Sequence, residues 1–171
     1  MSKYVDHLPE YRQQKIFKRD GVIIPPSTMN GWVHKIAELF RSMAKHLQKE
    51  ILSSGYIQMD ESTIKVLATK KGKAYLGYMW VIYSPAKCHV CFMYNKGRDK
   101  SFPSKLLKDY QGKLQSDGYI VYKNIAQTHH DIELSNCNAH ARRKFETSLT
   151  NDKDSASNAM GLYQKMYGIE R

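Results

Sequence analysis

Gly55-Tyr56-Ile57-Gln58-Met59-Asp60 is the stretch on which the fold turns. Before it the chain reads as helix, and after it as sheet. Tyr56–Asp60 has the residue types of a strand, and residues 62–68 continue it or pair with it. Thr69-Lys70-Lys71-Gly72-Lys73 is a polar turn, and Ala74–Tyr83 (AYLGYMWVIY) is a second strand rich in aromatic and β-favouring side chains. Ser84-Pro85 breaks it, and Cys88–Tyr94 (CHVCFMY) is a third strand.

Downstream the pattern alternates. Phe102, Leu106, Leu107 and Tyr110 recur at helical spacing within residues 101–110. Residues 113–117 form a short strand closed by Gly118, and 119–124 open a short helix. Residues 132–137 are a strand, 139–149 a helix, 151–154 a loop and 155–167 a last helix. Upstream, residues 9–20 read as a helix stopped by Gly21, and Val22-Ile23-Ile24-Pro25-Pro26 cannot continue it. Ser27 is placed to cap the next helix, whose apolar positions Trp32, Val33, Ile36, Leu39, Phe40, Met43, Leu47 and Ile51 run to Ser53-Ser54-Gly55. The expected order is helix, helix, then β-β-β-α-β-α-β-α-α. That is an α/β chain with a mixed sheet flanked by helices, divided into a helical arm at 1–54, helix-turn-helix-like but with a long connection, and a core at 55–171.

Length and charge narrow the function. With 171 residues the chain suits one domain with an appendage. No apolar run approaches the ~18 residues that span a bilayer, no secretory leader is visible at the start, and three cysteines are too few for a disulfide framework, so the expected setting is the cytoplasm. The net charge is +11. Residues 56–124 hold twelve Lys and Arg against five Asp and Glu, whereas residues 125–171 are balanced at six each. A clustered positive charge is the footprint of a polyanion partner.

Two carboxylates stand at strand ends, Asp60 and Asp117. If their strands are neighbours the two converge, and hard divalent cations take oxygen ligands of this kind. Asp is also common in turns before Gly, which is the structural alternative. Cys88-x-x-Cys91 and Cys137-x-x-His140 have zinc-like spacing. Residues three apart on a strand face opposite sides, however, so buried unliganded cysteines are expected. His140, Arg142, Arg143 and Lys144 form a basic cluster at a helix start, suited to phosphate contact or to a solvated face. No phosphate-binding glycine fingerprint is present.

Four segments together resemble the insertion sequence 66 family of bacterial DDE transposases: Tyr4-Val5-Asp6-His7-Leu8-Pro9 with Tyr11-Arg12-Gln13, Met59-Asp60-Glu61-Ser62, Leu114-Gln115-Ser116-Asp117-Gly118-Tyr119, and Cys137-Asn138-Ala139-His140-Ala141-Arg142-Arg143-Lys144-Phe145. The resemblance covers essentially the whole chain. It implies a ribonuclease-H-like core, here partial, with Asp60 and Asp117 as catalytic, metal-binding acids for Mg²⁺ or Mn²⁺. The implied partners are insertion-element ends and target DNA, with room for a homo-oligomer in a transposition complex and no membrane. Cleavage and strand transfer of an insertion sequence is the implied activity. The family's third acid is expected in a motif that this sequence does not reach. Glu146 and Glu170 are the candidates inside it, and a fragment or inactive remnant that folds and binds DNA non-specifically is the alternative.

Overall fold

The computed structural model describes residues 2–67 and 72–169. The central part of the expected turn, residues 69–71, and Glu170 lie outside them. The chain divides into two compact units, Met1–His46 and Leu47–Arg171. The boundary lies inside a helix, upstream of the division expected at 54/55.

The first unit holds α1 (Glu10–Arg19) and most of α2 (Pro26–Leu52). α2 starts on Pro26 rather than after a Ser27 cap, because proline supplies a helical φ and lacks only an N–H that would be unsatisfied there. The connection spans residues 20–25, and α2 runs for 27 residues. Met29 is buried, but Trp32, Ile36, Leu39 and Met43 are exposed along α2.

The second unit is an α/β layer. Its strands are β1 (Tyr56–Leu67), β2 (Ala74–Ser84), β3 (His89–Asn95), β4 (Gly112–Ser116) and β5 (Ile132–Asn136). They form one sheet in the order β3-β2-β1-β4-β5. β1, β2 and β3 pair antiparallel, whereas β4 and β5 join parallel to β1 and to each other. The parallel additions require crossovers, supplied by α3 (Ser101–Leu106) and α4 (Ile120–Thr128). α5 (Asn138–Ser148) and α6 (Lys153–Ile169) follow. All eleven expected elements are present in the expected order. α3 is shorter than its apolar spacing suggested, since Leu107 and Tyr110 pack from the turn behind it.

Alternation along the strands sorts the side chains. Ile57 and Met59, with Ile82, Cys91, Leu114 and Ile132, lie on one face and pack against Leu107, Tyr110, Val121, Tyr122 and Ile125. Trp80 is fully buried there, its ring 5.3 Å from that of Phe102. The last turn of α2 adds Ile51, also fully buried. Gly112 fixes where β4 meets β1. Its φ is +135°, and a Cβ there would lie 2.2 Å from the Gly55 carbonyl, which accepts the Lys113 N–H at 2.8 Å.

The expectation of buried cysteines holds only for Cys91. Cys88 does not begin the third strand. It closes a turn from Pro85 with φ +51° and is exposed, whereas Cys91 is buried and Cys137 half-buried.

Candidate functional site

The β1–β4 register brings Asp60 to Asp117. Gln58 pairs with Gln115, and the same offset sets Asp60 opposite Asp117, one residue past the end of β4. Neighbouring strands lie about 4.8 Å apart. Both residues share the parity of Gln58 and Gln115, whose amides hydrogen-bond across the strands at 2.8 Å. Both line one small cavity of about 150 Å³ with Gln58, Gln115, Cys137 and His140.

Each carboxylate has one oxygen held by backbone. Asp60 Oδ1 accepts the Glu61 N–H at 2.8 Å. Asp117 Oδ1 accepts the Tyr119 N–H at 2.9 Å, in a side-chain turn that the positive φ of Gly118 permits. The other oxygens face cationic or titratable groups: His140 Nε2 stands 3.9 Å from Asp60 Oδ2, and an Arg98 terminal nitrogen stands 3.9 Å from Asp117 Oδ2. The Asp60 side chain is 48% exposed.

The basic cluster is divided among three cavities. His140, at the start of α5, belongs to the cavity of the two aspartates, and its Nδ1 is buried with no hydrogen-bond partner. Lys144, one turn on, lines a neighbouring cavity that also includes Asp117. Arg142 and Arg143 line a separate cavity with α6 residues. Arg142 is paired there with Glu146 at 3.3 Å. Glu146 therefore stands apart from Asp60 and Asp117. Among the described residues, no three His, Cys, Asp or Glu side chains gather as a ready ligand set.

The sequence reading missed the groups under the site. Glu61 points to the covered face, with a side chain only 1% exposed. Arg98 donates to it at 2.7 Å, and the Tyr122 hydroxyl donates at 2.8 Å. This bond to Glu61 strengthens Arg98's hold on its proton. Burial first, then Glu61, pushes the Tyr122 hydroxyl above its ordinary range. Arg98 also stacks over the Tyr119 ring at 4.2 Å. The strand alternation that sends Asp60 outward sends Glu61 inward, and that signal was available. Arg98 sits in a loop, and no spacing rule pointed to it.

Fold and site together describe an α/β core that sets two carboxylates beside a basic helix start. The chain matches the family described as "Transposase IS66 family" over residues 1–171, and it belongs to that family. It is similar to uncharacterized protein y4qI of Sinorhizobium fredii (strain NBRC 101917 / NGR234), 30% identical over 158 residues that cover 85% of this chain and 29% of the relative. It is also similar to uncharacterized protein y4jD of the same strain, 28% identical over 185 residues that cover 100% of this chain and 36% of the relative. The chain thus spans about a third of the length of these relatives.

Proposed function

We propose that the second unit is a ribonuclease-H-like core of an insertion-sequence transposase, acting on DNA in the cytoplasm, with Asp60 and Asp117 as two of its metal-holding acids. The observation that carries this reading is the β1–β4 register, whose continuation puts Asp60 of β1 opposite Asp117, one residue past the end of β4, with the parity of one face. The donor set fits a hard divalent ion. Both residues offer carboxylate oxygens to one cavity, and Mg²⁺ is commonly held by one or two carboxylates plus substrate phosphates. Mg²⁺ or Mn²⁺ bound there would activate water and neutralise charge on the leaving oxygen of a phosphodiester.

The chain's own residues orient that site. The backbone N–H groups of Glu61 and Tyr119 fix one oxygen of each aspartate and leave the other free to turn toward a cation. Arg98 and His140 supply positive or polar neighbours to the free oxygens. His140, Arg142, Arg143 and Lys144 are the proposed contacts to element-end and target DNA, as hydrogen-bond donors to phosphate.

A second reading is favoured by one observation. Among the described residues no third Asp or Glu lines the aspartate cavity. Residues 1–171 alone would then bind DNA and metal without cutting. Water-proton relaxation with Mn²⁺ tests the site itself. Weak binding is expected, and it is lost in Asp60→Ala and in Asp117→Ala. Binding that survives both substitutions overturns the assignment. Metal-dependent nicking of element ends by residues 1–171 would overturn the non-cutting reading alone.

A further inference from the structure

A second cavity, of about 220 Å³, adjoins the aspartate site and shares Asp117 and Cys137 with it. Lys123 of α4 and Lys144 of α5 both line it, together with Gly118 and Asn136. Three cations of this unit have acid partners near the strands: Arg98 with Glu61, Lys113 with Glu133, Lys87 with Glu50. Among the described residues, Lys123 and Lys144 form no ion pair. Asp117 is the one carboxylate in the lining; the Tyr119 N–H holds one of its oxygens and Arg98 stands 3.9 Å from the other. Two like charges set around one opening repel each other unless an anion lies between them. The opening is smaller than the roughly 300 Å³ at which small-molecule pockets begin, which suits a single phosphate and its sugar.

We propose that Lys123 and Lys144 clamp a backbone phosphate of the DNA strand beside the phosphodiester presented to Asp60 and Asp117. This rests on the reading of the chain as a DNA-acting core, and it adds Lys123 to that surface. It also separates Lys144 from Arg142 and Arg143, which line the α6 side. The shared Asp117 and Cys137 make the two cavities neighbours, as the proposal requires.

Anisotropy titrations of a labelled duplex between ~50 and ~200 mM salt test this, because each phosphate neutralised contributes about 0.9 to the slope of log affinity on log salt. Lys123→Gln with Lys144→Gln is expected to lower the slope by about 0.9, the share of the one phosphate the pair neutralises, and each single substitution by less. Lys123→Arg with Lys144→Arg is expected to keep the wild-type slope. Lys105→Gln with Lys108→Gln removes the same charge from exposed positions that line neither cavity, and it is expected to change the slope little. An unchanged slope in the Lys123/Lys144 double glutamine variant overturns the clamp, as does an equal loss in the Lys105/Lys108 control. Inorganic phosphate that shifts only the Gly118 and Asn136 amide resonances, with the duplex slope insensitive to the double substitution, would assign the pocket to a free anion and overturn the DNA placement. Wild-type protein that fails to bind duplex at all would overturn both the clamp and the DNA-acting reading. Loss of the clamp alone leaves the Mn²⁺ result at the aspartates standing.

Discussion

The two faces of the sheet treat neighbouring carboxylates in opposite ways. On the helix-covered face Glu61 is closed off, neutralised by Arg98 and hydrogen-bonded by Tyr122. On the other face Asp60, its neighbour in sequence, is half open to solvent beside His140. The same face continues outward to Val90, Phe92 and Tyr94 of β3, all exposed. One face is a packed layer and the other is open to solvent at these positions. A buried charge is tolerable only when it is paired and hydrogen-bonded, so the covered face spends Arg98 and Tyr122 on Glu61. The open face leaves its aspartates able to take a new partner.

The contrast is broken most strongly at the aromatic residues. Trp80→Ala on the covered face is expected to cost about 3–5 kcal/mol, as for large core truncations. Phe92→Ala, 64% exposed on the other face, is expected to stay within about 0.5 kcal/mol. Urea midpoints of the two variants, read with their slopes, check this. Similar losses at both positions would mean that the outer face is packed in solution.

Alkaline pH probes the covered face through its two buried tyrosines. Burial raises the Tyr122 hydroxyl above its ordinary value and pushes Tyr110 up to about 12. Above pH ~10 an unfolded tyrosine ionises while these two keep their protons, so the unfolded state binds fewer protons and stability falls as pH rises. The stabilisation is complete below pH ~10 and falls by about 1.4 kcal/mol per pH unit for each tyrosine, for Tyr110 until its folded value is passed. Unfolding free energies at pH 9, 10 and 11 for wild type, Tyr110→Phe and Tyr122→Phe test this. Each substitution is expected to remove its own share of the slope. A wild-type curve flat through that window would contradict the burial of these hydroxyls.

The smallest of these effects sharpens the comparison at the two neighbours themselves. Glu61→Gln is expected to destabilise by about 1–3 kcal/mol, because it leaves Arg98 and Tyr122 short of their charged acceptor. Arg98 is partly exposed, so water recovers some of what a fully buried pair would lose. Asp60→Asn is expected to change stability by less than about 0.5 kcal/mol, although Mn²⁺ binding falls. Thermal melts of both variants, with and without Mn²⁺, separate the roles. Equal destabilisation would give Asp60 a structural role and count against the proposed metal-holding one.

Much of this was legible from residue order. The strand at Tyr56–Asp60 was readable from its side chains and Asp117 as a carboxylate at a strand end, but Asp60, read as closing its strand, lies inside β1, which pairs with β2 as far as Leu67. Helical spacing located α2, although its start was set by Pro26 rather than Ser27. The basic cluster at residues 140–144 was visible as a cluster, but its division was not. Positions 140 and 144 lie on one side of a helix, 142 and 143 on another, and what each side meets depends on where α6 and β4 sit. Cys88 was misjudged because its turn is closed by a left-handed residue other than glycine, which no composition rule flags.

The sequence by itself determined the element order, the alternation that separates Asp60 from Glu61, and the positive middle of the chain. These follow from local chemistry: side-chain period, backbone freedom at glycine and proline, and charge count. Only the tertiary structure decided that β4 lies beside β1, with Asp117 next to Asp60. It also decided that Arg98 serves the buried Glu61, and that Lys123 and Lys144 meet around one cavity. Those pairings join residues tens of positions apart. They depend on which strand edges find each other once the apolar face is buried, a choice made by the packing of the whole layer rather than by any one segment.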